Sequence, residues 1–375
     1  MLPEALEVFA REAGTVGNAS SLHGAGRRAR KMVEESREKL AASIGAKPQE
    51  VIFTASGTEA NNLAVKGIYW KLRERHSAKN SIISSPIEHH AILDPLEWLE
   101  RESVTTLHLS EVDENGVVKT ESVGRILEQH TDQILFATFM HSNNEVGALQ
   151  PISEIAELAA RFQIPIHTDA VQSFGKVPLD FAKLGVNAMT ISGHKIGGPL
   201  GVAALIAKKD LELTPLLHGG GQEREVRSGT LHTPAIAAFA AAAEIAQQRL
   251  VENASRVRAL RERLIDGILH QVNDVRLNGG ADTLPGIAHF TFAGAEGDAL
   301  LLLLDAQGVQ CSTGSACSAG IAQPSHVLLA MGLPPKIARS SIRFSIGPTT
   351  TTADVERAIS VIGEVVTRAR AAGVR

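Results

Sequence analysis

Both cysteines of the chain fall in CSTGSACSAG (311–320), a run in which every other residue is Ser, Thr, Gly or Ala. Unpaired cysteine usually sits packed in a core, yet this segment has almost nothing to bury. Two thiols in 375 residues cannot build a disulfide framework or a four-cysteine metal site. A thiol kept reduced here is available as a nucleophile. A second set of chemically capable residues lies just after apolar runs. VIFT (51–54) leads into Ser56-Gly57-Thr58, SIISS (81–85) into His89-His90 and ILFATFM (134–140) into Asn143-Asn144. IPIHTD (164–169) ends on Asp169 with Gln172 close behind, and AMTIS (188–192) runs through Ser192 to His194 and Lys195.

Each junction has a plain reading beside a chemical one. Ser56 or Thr58 can simply cap a helix, but together with Gly57 they also surround an anion-sized hole at a helix N-terminus, which suits a phosphate. Asp169 can cap a turn, or it can hold a ligand if a partner keeps it ionised. Lys195 is a surface lysine or, next to apolar strands, an amine whose depressed pKa would let it form an imine. Adjacent histidines point in different directions and no HExxH or cysteine series completes a site, so His89-His90 is not read as metal-binding and no intrinsic metal site is expected. An imidazole stacked on a planar ligand is the better functional reading. A phosphate cup, an imine-forming lysine, a carboxylate for a ring nitrogen and a stacking ring together describe a site for pyridoxal 5'-phosphate. The chain has neither GxGxxG nor GxxxxGK[ST], which argues against dinucleotide and P-loop folds.

These residues need a scaffold that brings many strand ends together. Short apolar runs alternate with helical stretches from about residue 24 to 205, an order that implies a mainly parallel sheet with helices on both faces. Open sheets of that kind bind ligands outside the carboxyl ends of their strands. Beyond the glycine-rich HGGGQEREVRSGT (218–230) come two helical stretches, 233–249 and 252–271, and then a mixed pattern ending in SSIRFSI (340–346) and a helix from about Ala353. The expected domains are 1–247 and 248–375. An apolar fraction of 44% and a charged fraction of 21% describe a soluble globular chain. A net charge of −4 gives no general attraction to nucleic acid or an anionic membrane. The N-terminus lacks a signal-peptide pattern and no window reaches the roughly 18 apolar residues of a membrane span, so a cytoplasmic protein is expected.

At this level the chain resembles the cysteine desulfurases of the class V pyridoxal-phosphate-dependent aminotransferase family, in the branch serving iron–sulfur cluster assembly. The matching pieces run in order through nearly the whole chain: GNASSLH (17–23), TASGTEANNLAVKG (54–67), IEHHAILD (87–94), NNEVG (143–147), HTDAVQSFGKVPLD (167–180), SGHKIGGP (192–199), HGGGQE (218–223), RSGT (227–230), GSAC (314–317), PSHVLLAMG (324–332) and SIRFSIG (341–347). The resemblance implies the α/β fold type I of pyridoxal-phosphate-dependent transferases. Such a fold has a large domain, with a seven-stranded, mainly parallel sheet sandwiched by helices, and a smaller α/β C-terminal domain carrying the catalytic cysteine loop.

It also implies roles. Lys195 would hold the cofactor covalently, Asp169 would pair with its ring nitrogen, His89 would stack on the ring and move protons, and Gln172 and Asn144 would lie beside it. Gly57, Thr58, Ser192 and His194 would hold the phosphate, with Thr230 reaching it from the other subunit of a homodimer. Arg343, with Asn144, would bind the carboxylate of the substrate, L-cysteine. Cys317 would take the sulfur as a persulfide, leaving alanine, and pass it to an iron–sulfur scaffold or another acceptor protein, with Cys317 a candidate transient ligand of the cluster during handover. Cys311 falls outside the motif and reads as structural. The neighbouring activities are selenocysteine lyase and other class V aminotransferases or lyases. Relative to the family's YLDxAATTP-like opening, the chain begins roughly a dozen residues late. That start implies either a start codon placed too far downstream, which is the expectation, or a chain lacking an edge strand and one wall of its active site; a truncated, inactive paralogue acting as an assembly partner is a further alternative to the enzyme.

Overall fold

Seven strands form the larger sheet in a computed structural model of the chain: Val51–Thr54 (β1), Ser81–Ser84 (β2), Thr106–Leu109 (β3), Ile134–Met140 (β4), Ile166–Asp169 (β5), Ala188–Ser192 (β6) and Ala203–Ala207 (β7). Their order is β1-β7-β6-β5-β4-β2-β3. β7 runs antiparallel to both its neighbours, and the remaining pairings are parallel. Except for the edge strand β3, every residue of these strands is buried. That is why β1, β4 and β7 read as largely apolar runs rather than as alternating ones. The structure describes residues 1–15, 17–314 and 323–372.

Two units are present. The first comprises residues 1–111, 119–141 and 151–250, and the second comprises 112–118, 142–150 and 251 onward. The second unit holds an antiparallel sheet of Val275–Asn278 (β8), Ile287–Phe292 (β9) and Ser341–Ser345 (β10) in the order β10-β9-β8. Phe290, Phe292 and Ile342 from this sheet are buried with Leu300 and Leu304 of the helix Gly297–Asp305 and with Ile362 and Val366 of the helix Thr352–Ala372. Cys311 is packed against the same core.

The first long helix spans Gly24–Ile44, and Gly45 closes it at φ 68°, a left-handed conformation that glycine adopts without strain. In the first unit Arg37 of this helix forks onto Glu223, with Nη2–Oε1 at 2.7 Å and Nη1–Oε2 at 2.8 Å. Glu223 Oε2 also accepts the Phe53 N–H of β1 at 2.8 Å. Both charges are buried, so the pair survives only because each partner satisfies the other. Its consequence is to pin the HGGGQE loop to the sheet. Among the described residues no helix is long and apolar enough to cross a membrane.

Candidate active site

Within the first unit the expected cofactor residues stand at the ends of β1, β5 and β6 and just after β2. Ser56 caps the helix Gly57–Arg75 by accepting the Glu59 N–H at 3.1 Å, so the plain reading of Ser56 holds. The first N–H groups of a helix have no partner within the helix. A Cβ on Gly57 would come 3.1 Å from Val171 and 3.6 Å from Ser192 Cβ. The bare backbone of Gly57 therefore lies against the ends of β5 and β6, and Thr58 beside it is exposed. Ser192 is buried and its hydroxyl makes no capping bond. His194 and Lys195 follow in an exposed 3₁₀ turn. Partial desolvation, then the charges of Lys195 and Lys176, lower the His194 pKa.

Asp169, at the end of β5, is buried and accepts Asn61 Nδ2 at 2.7 Å and the Val171 N–H at 2.9 Å. Burial pushes its carboxyl pKa up, while the two hydrogen bonds and the charges of His89 and Lys195 pull it down. Asp169, His89 and Lys195 thus form one electrostatic cluster. His89 is the N-cap of the helix His90–Ser103, and its Nδ1 accepts the Ala91 N–H at 3.0 Å. That bond places the proton of the neutral ring on Nε2. His90 is exposed and engages Asp94 at 2.9 Å, so the adjacent histidines part ways as the geometry of successive residues requires. Gln172 Oε1 accepts Lys176 Nζ at 2.9 Å. Thr230 is exposed, three residues beyond Arg227, whose Nε donates to Glu59 Oε1 at 2.8 Å.

The test of pyridoxal phosphate is whether the cluster has the donors, acceptors and space that the group needs. It has an exposed lysine amine, a buried carboxylate held by two donors, an imidazole with Nε2 disengaged from the helix cap, and a helix N-terminus where a side chain on residue 57 would intrude. These residues fit the group.

Sequence reading missed two members of this cluster. Asn61 stands one helical turn beyond Gly57, and that i, i+4 spacing was the available signal. Glu88 had none beyond its place before His89. It is fully buried, and its Oε1 accepts Ser85 Oγ at 2.6 Å and the Met140 N–H at 2.9 Å. Burial pushes its pKa up to about 8, with the Asp169 charge adding to the rise against those two bonds.

Two expected residues belong to the second unit. Arg343, in β10, donates from Nη1 to the Asn144 carbonyl at 2.7 Å, and its buried Nε has no hydrogen-bond partner among the described residues. Desolvation lowers its pKa, and the Glu145 charge opposes that shift. A guanidinium with an unused donor is equipped to take a carboxylate. Cys317 lies outside the described residues. The Cys311 pKa is pushed up to about 11 by burial and by Asp305, which makes it a poor thiolate source.

Comparison with known proteins shows which family the chain resembles. The family model described as Aminotransferase class-V matches residues 2–358. An IscS-like cysteine desulfurase from Mycobacterium tuberculosis is 49% identical over 374 residues, covering 99% of this chain and 95% of the relative. The cysteine desulfurase IscS of Dictyoglomus turgidum is 40% identical, with 98% and 91% covered. A solved NifS-like protein superposes with a TM-score of 0.90 at 32% identity, covering 98% of this chain and 96% of its own.

Proposed function

The chain belongs to the aminotransferase class-V family, and on that premise we propose that it is a cysteine desulfurase, removing sulfur from L-cysteine to leave L-alanine and a persulfide on Cys317. The observation that carries the reading is the buried Asp169–Asn61 pair at the end of β5, within electrostatic reach of His89 and Lys195. The same chain supplies a thiol in its GSAC motif.

In this reading Lys195 Nζ holds the cofactor and Asp169 pairs with its ring nitrogen. A charge on that nitrogen would offset the burial that raises the Asp169 pKa. His89, Gln172 and Asn144 would hold the ring, His89 by stacking. Gly57, Thr58, Ser192 and His194 take the phosphate, with Thr230 reaching across from the second subunit of a homodimer. Pyridoxal phosphate, when bound, supplies an electron sink for the pair released at the substrate's α-carbon. Arg343 binds the substrate carboxylate. Lys195 Nζ takes up and returns protons at the substrate carbons, and His89 does so at Nε2, since its Nδ1 is occupied by the helix cap.

The Cys317 thiolate attacks the substrate sulfur. The carbon–sulfur bond breaks as the sulfur–sulfur bond forms, and the bonding pair stays with the carbon, which gains a proton to become the methyl group of alanine. The persulfide sulfur then passes to an iron–sulfur scaffold or another thiol acceptor in the cytoplasm.

The decisive assay measures alanine and sulfide from L-cysteine in the presence of a dithiol, which is oxidised to its disulfide as it releases the sulfur. Wild type yields both products, and Cys317→Ala stays yellow but yields neither. Normal turnover by Cys317→Ala would refute the assignment.

A further inference from the structure

One buried carboxylate in the second unit is bonded to Ser325 and lies near Gly314, the residues on either side of the stretch that bears Cys317. Glu145 sits on a tight turn that its neighbour builds: Asn143 Oδ1 accepts the Glu145 and Val146 N–H groups at 2.8 and 2.9 Å, and the Gly147 N–H returns to the Asn143 carbonyl at 3.1 Å. Its backbone is thereby fixed and its side chain is buried. On one flank, Ser325 Oγ donates to Glu145 Oε2 at 2.5 Å while capping the short helix His326–Ala330. On the other flank lies Gly314, at φ +92°, where a Cβ would come 2.7 Å from the same Oε2 and 3.6 Å from His289 Nε2. At that backbone angle glycine is free of strain, and a side chain there would displace this carboxylate.

The anchoring continues from Gly314. Its N–H donates to Ser312 Oγ at 3.2 Å, and Ser312 pairs with Arg343 through two backbone bonds, of 2.6 and 3.1 Å. Arg343 in turn donates to the carbonyl of Asn144, the residue before Glu145. One closed circuit thus links the proposed substrate clamp, the turn and the root of the cysteine-bearing stretch.

We propose that Glu145 is a positioning residue for sulfur transfer, a single carboxylate that sets both ends of the stretch carrying Cys317. The proposal rests on the desulfurase reading above. Holding the residues on either side of a nucleophile lowers the cost of bringing it to its target, and a thiolate that must meet a sulfur in line gains rate from pre-set geometry.

The test uses the holoenzyme and compares wild type with Glu145→Ala and Ser325→Ala. Cofactor content is read from absorbance, and L-cysteine affinity from the spectral response of the bound cofactor. Sulfur arrival at Cys317 is followed in a single turnover by the mass of the alkylated Cys317 peptide. Glu145→Ala is expected to keep cofactor content and L-cysteine affinity while slowing sulfur arrival by about tenfold to a hundredfold, the scale that a misplacement of about 1 Å produces. Ser325→Ala, which loses one anchor, should fall between it and wild type, and it carries the test should Glu145→Ala fail to fold. A merely structural role would lower the melting temperature and cofactor content together and leave the rate per bound cofactor at the wild-type value, which overturns the proposal. Wild type that turns over cysteine without ever gaining sulfur on Cys317 would overturn the desulfurase reading itself, before any variant is compared.

Discussion

Each unit buries a histidine in its sheet, and the two differ in what the second ring nitrogen meets. In the first unit His167 of β5 lies between Thr138 of β4 and Thr190 of β6, 2.9 Å from one hydroxyl and 3.0 Å from the other. In the second unit His289 of β9 meets Asn278 Nδ2 at 3.0 Å through Nδ1, and its Nε2 has no hydrogen-bond partner among the described residues. Burial lowers both pKa values to about 3, the Arg343 charge adding to the fall at His289. The lesson is that burial alone does not assign a role. His167 is a cross-link that holds the strand end bearing Asp169, whereas His289 keeps a spare ring nitrogen near Gly314.

The strongest way to break the comparison starts at the strand ends of the first unit. Lys195→Ala should abolish alanine formation and the yellow colour of the stable bound cofactor, and a variant that stays yellow and active would remove that crevice from the chemistry. Next in size, His167→Ala leaves the Thr138 and Thr190 hydroxyls buried without their partner and opens a cavity. Denaturant unfolding should show a loss of roughly 2–5 kcal/mol. His289→Ala abandons one partner rather than two and should cost roughly 1–3 kcal/mol by the same measurement. The reverse ranking would undo the distinction between cross-link and spare nitrogen.

A smaller effect separates the acid and alkaline arms of stability. Both histidines have folded pKa values depressed from 6.5 to about 3. The unfolded chain therefore binds more protons in that window, and stability is lost as the pH falls from 6.5 toward 3. Glu88 behaves oppositely. Its folded pKa is raised from 4.5 to about 8, so its protonated form is favoured in the fold and stability is lost as the pH rises through that range. Unfolding free energies across pH should show His167→Gln flattening the acid arm and Glu88→Gln the alkaline arm. Smallest of all, Cys311→Ala should keep sulfide production within about twofold of wild type, since a thiol this hard to ionise contributes packing rather than chemistry.

Much of the first unit was legible because its signals are local. VIFT, ILFATFM and AMTIS are strands with the bounds their apolar runs imply, and the polar residues after them lie where a parallel sheet presents its ligands. β7 escaped notice, since three of the five residues of AALIA are alanine and only one is β-branched. Segments 112–118 and 142–150 come from mid-chain yet belong to the second unit, and no local pattern marks such an exchange.

What the chain determined by itself is the chemistry on offer: Lys195, Asp169, His89 and Cys317, in motifs whose residue types suit one cofactor and one nucleophile. Only the tertiary structure decided which residues distant in sequence meet. Asn61 reaches Asp169 across 108 positions and Ser325 reaches Glu145 across 180. Such pairings depend on where strands and turns end in space, whereas sequence periodicity reports contacts only within a turn of helix or along a strand.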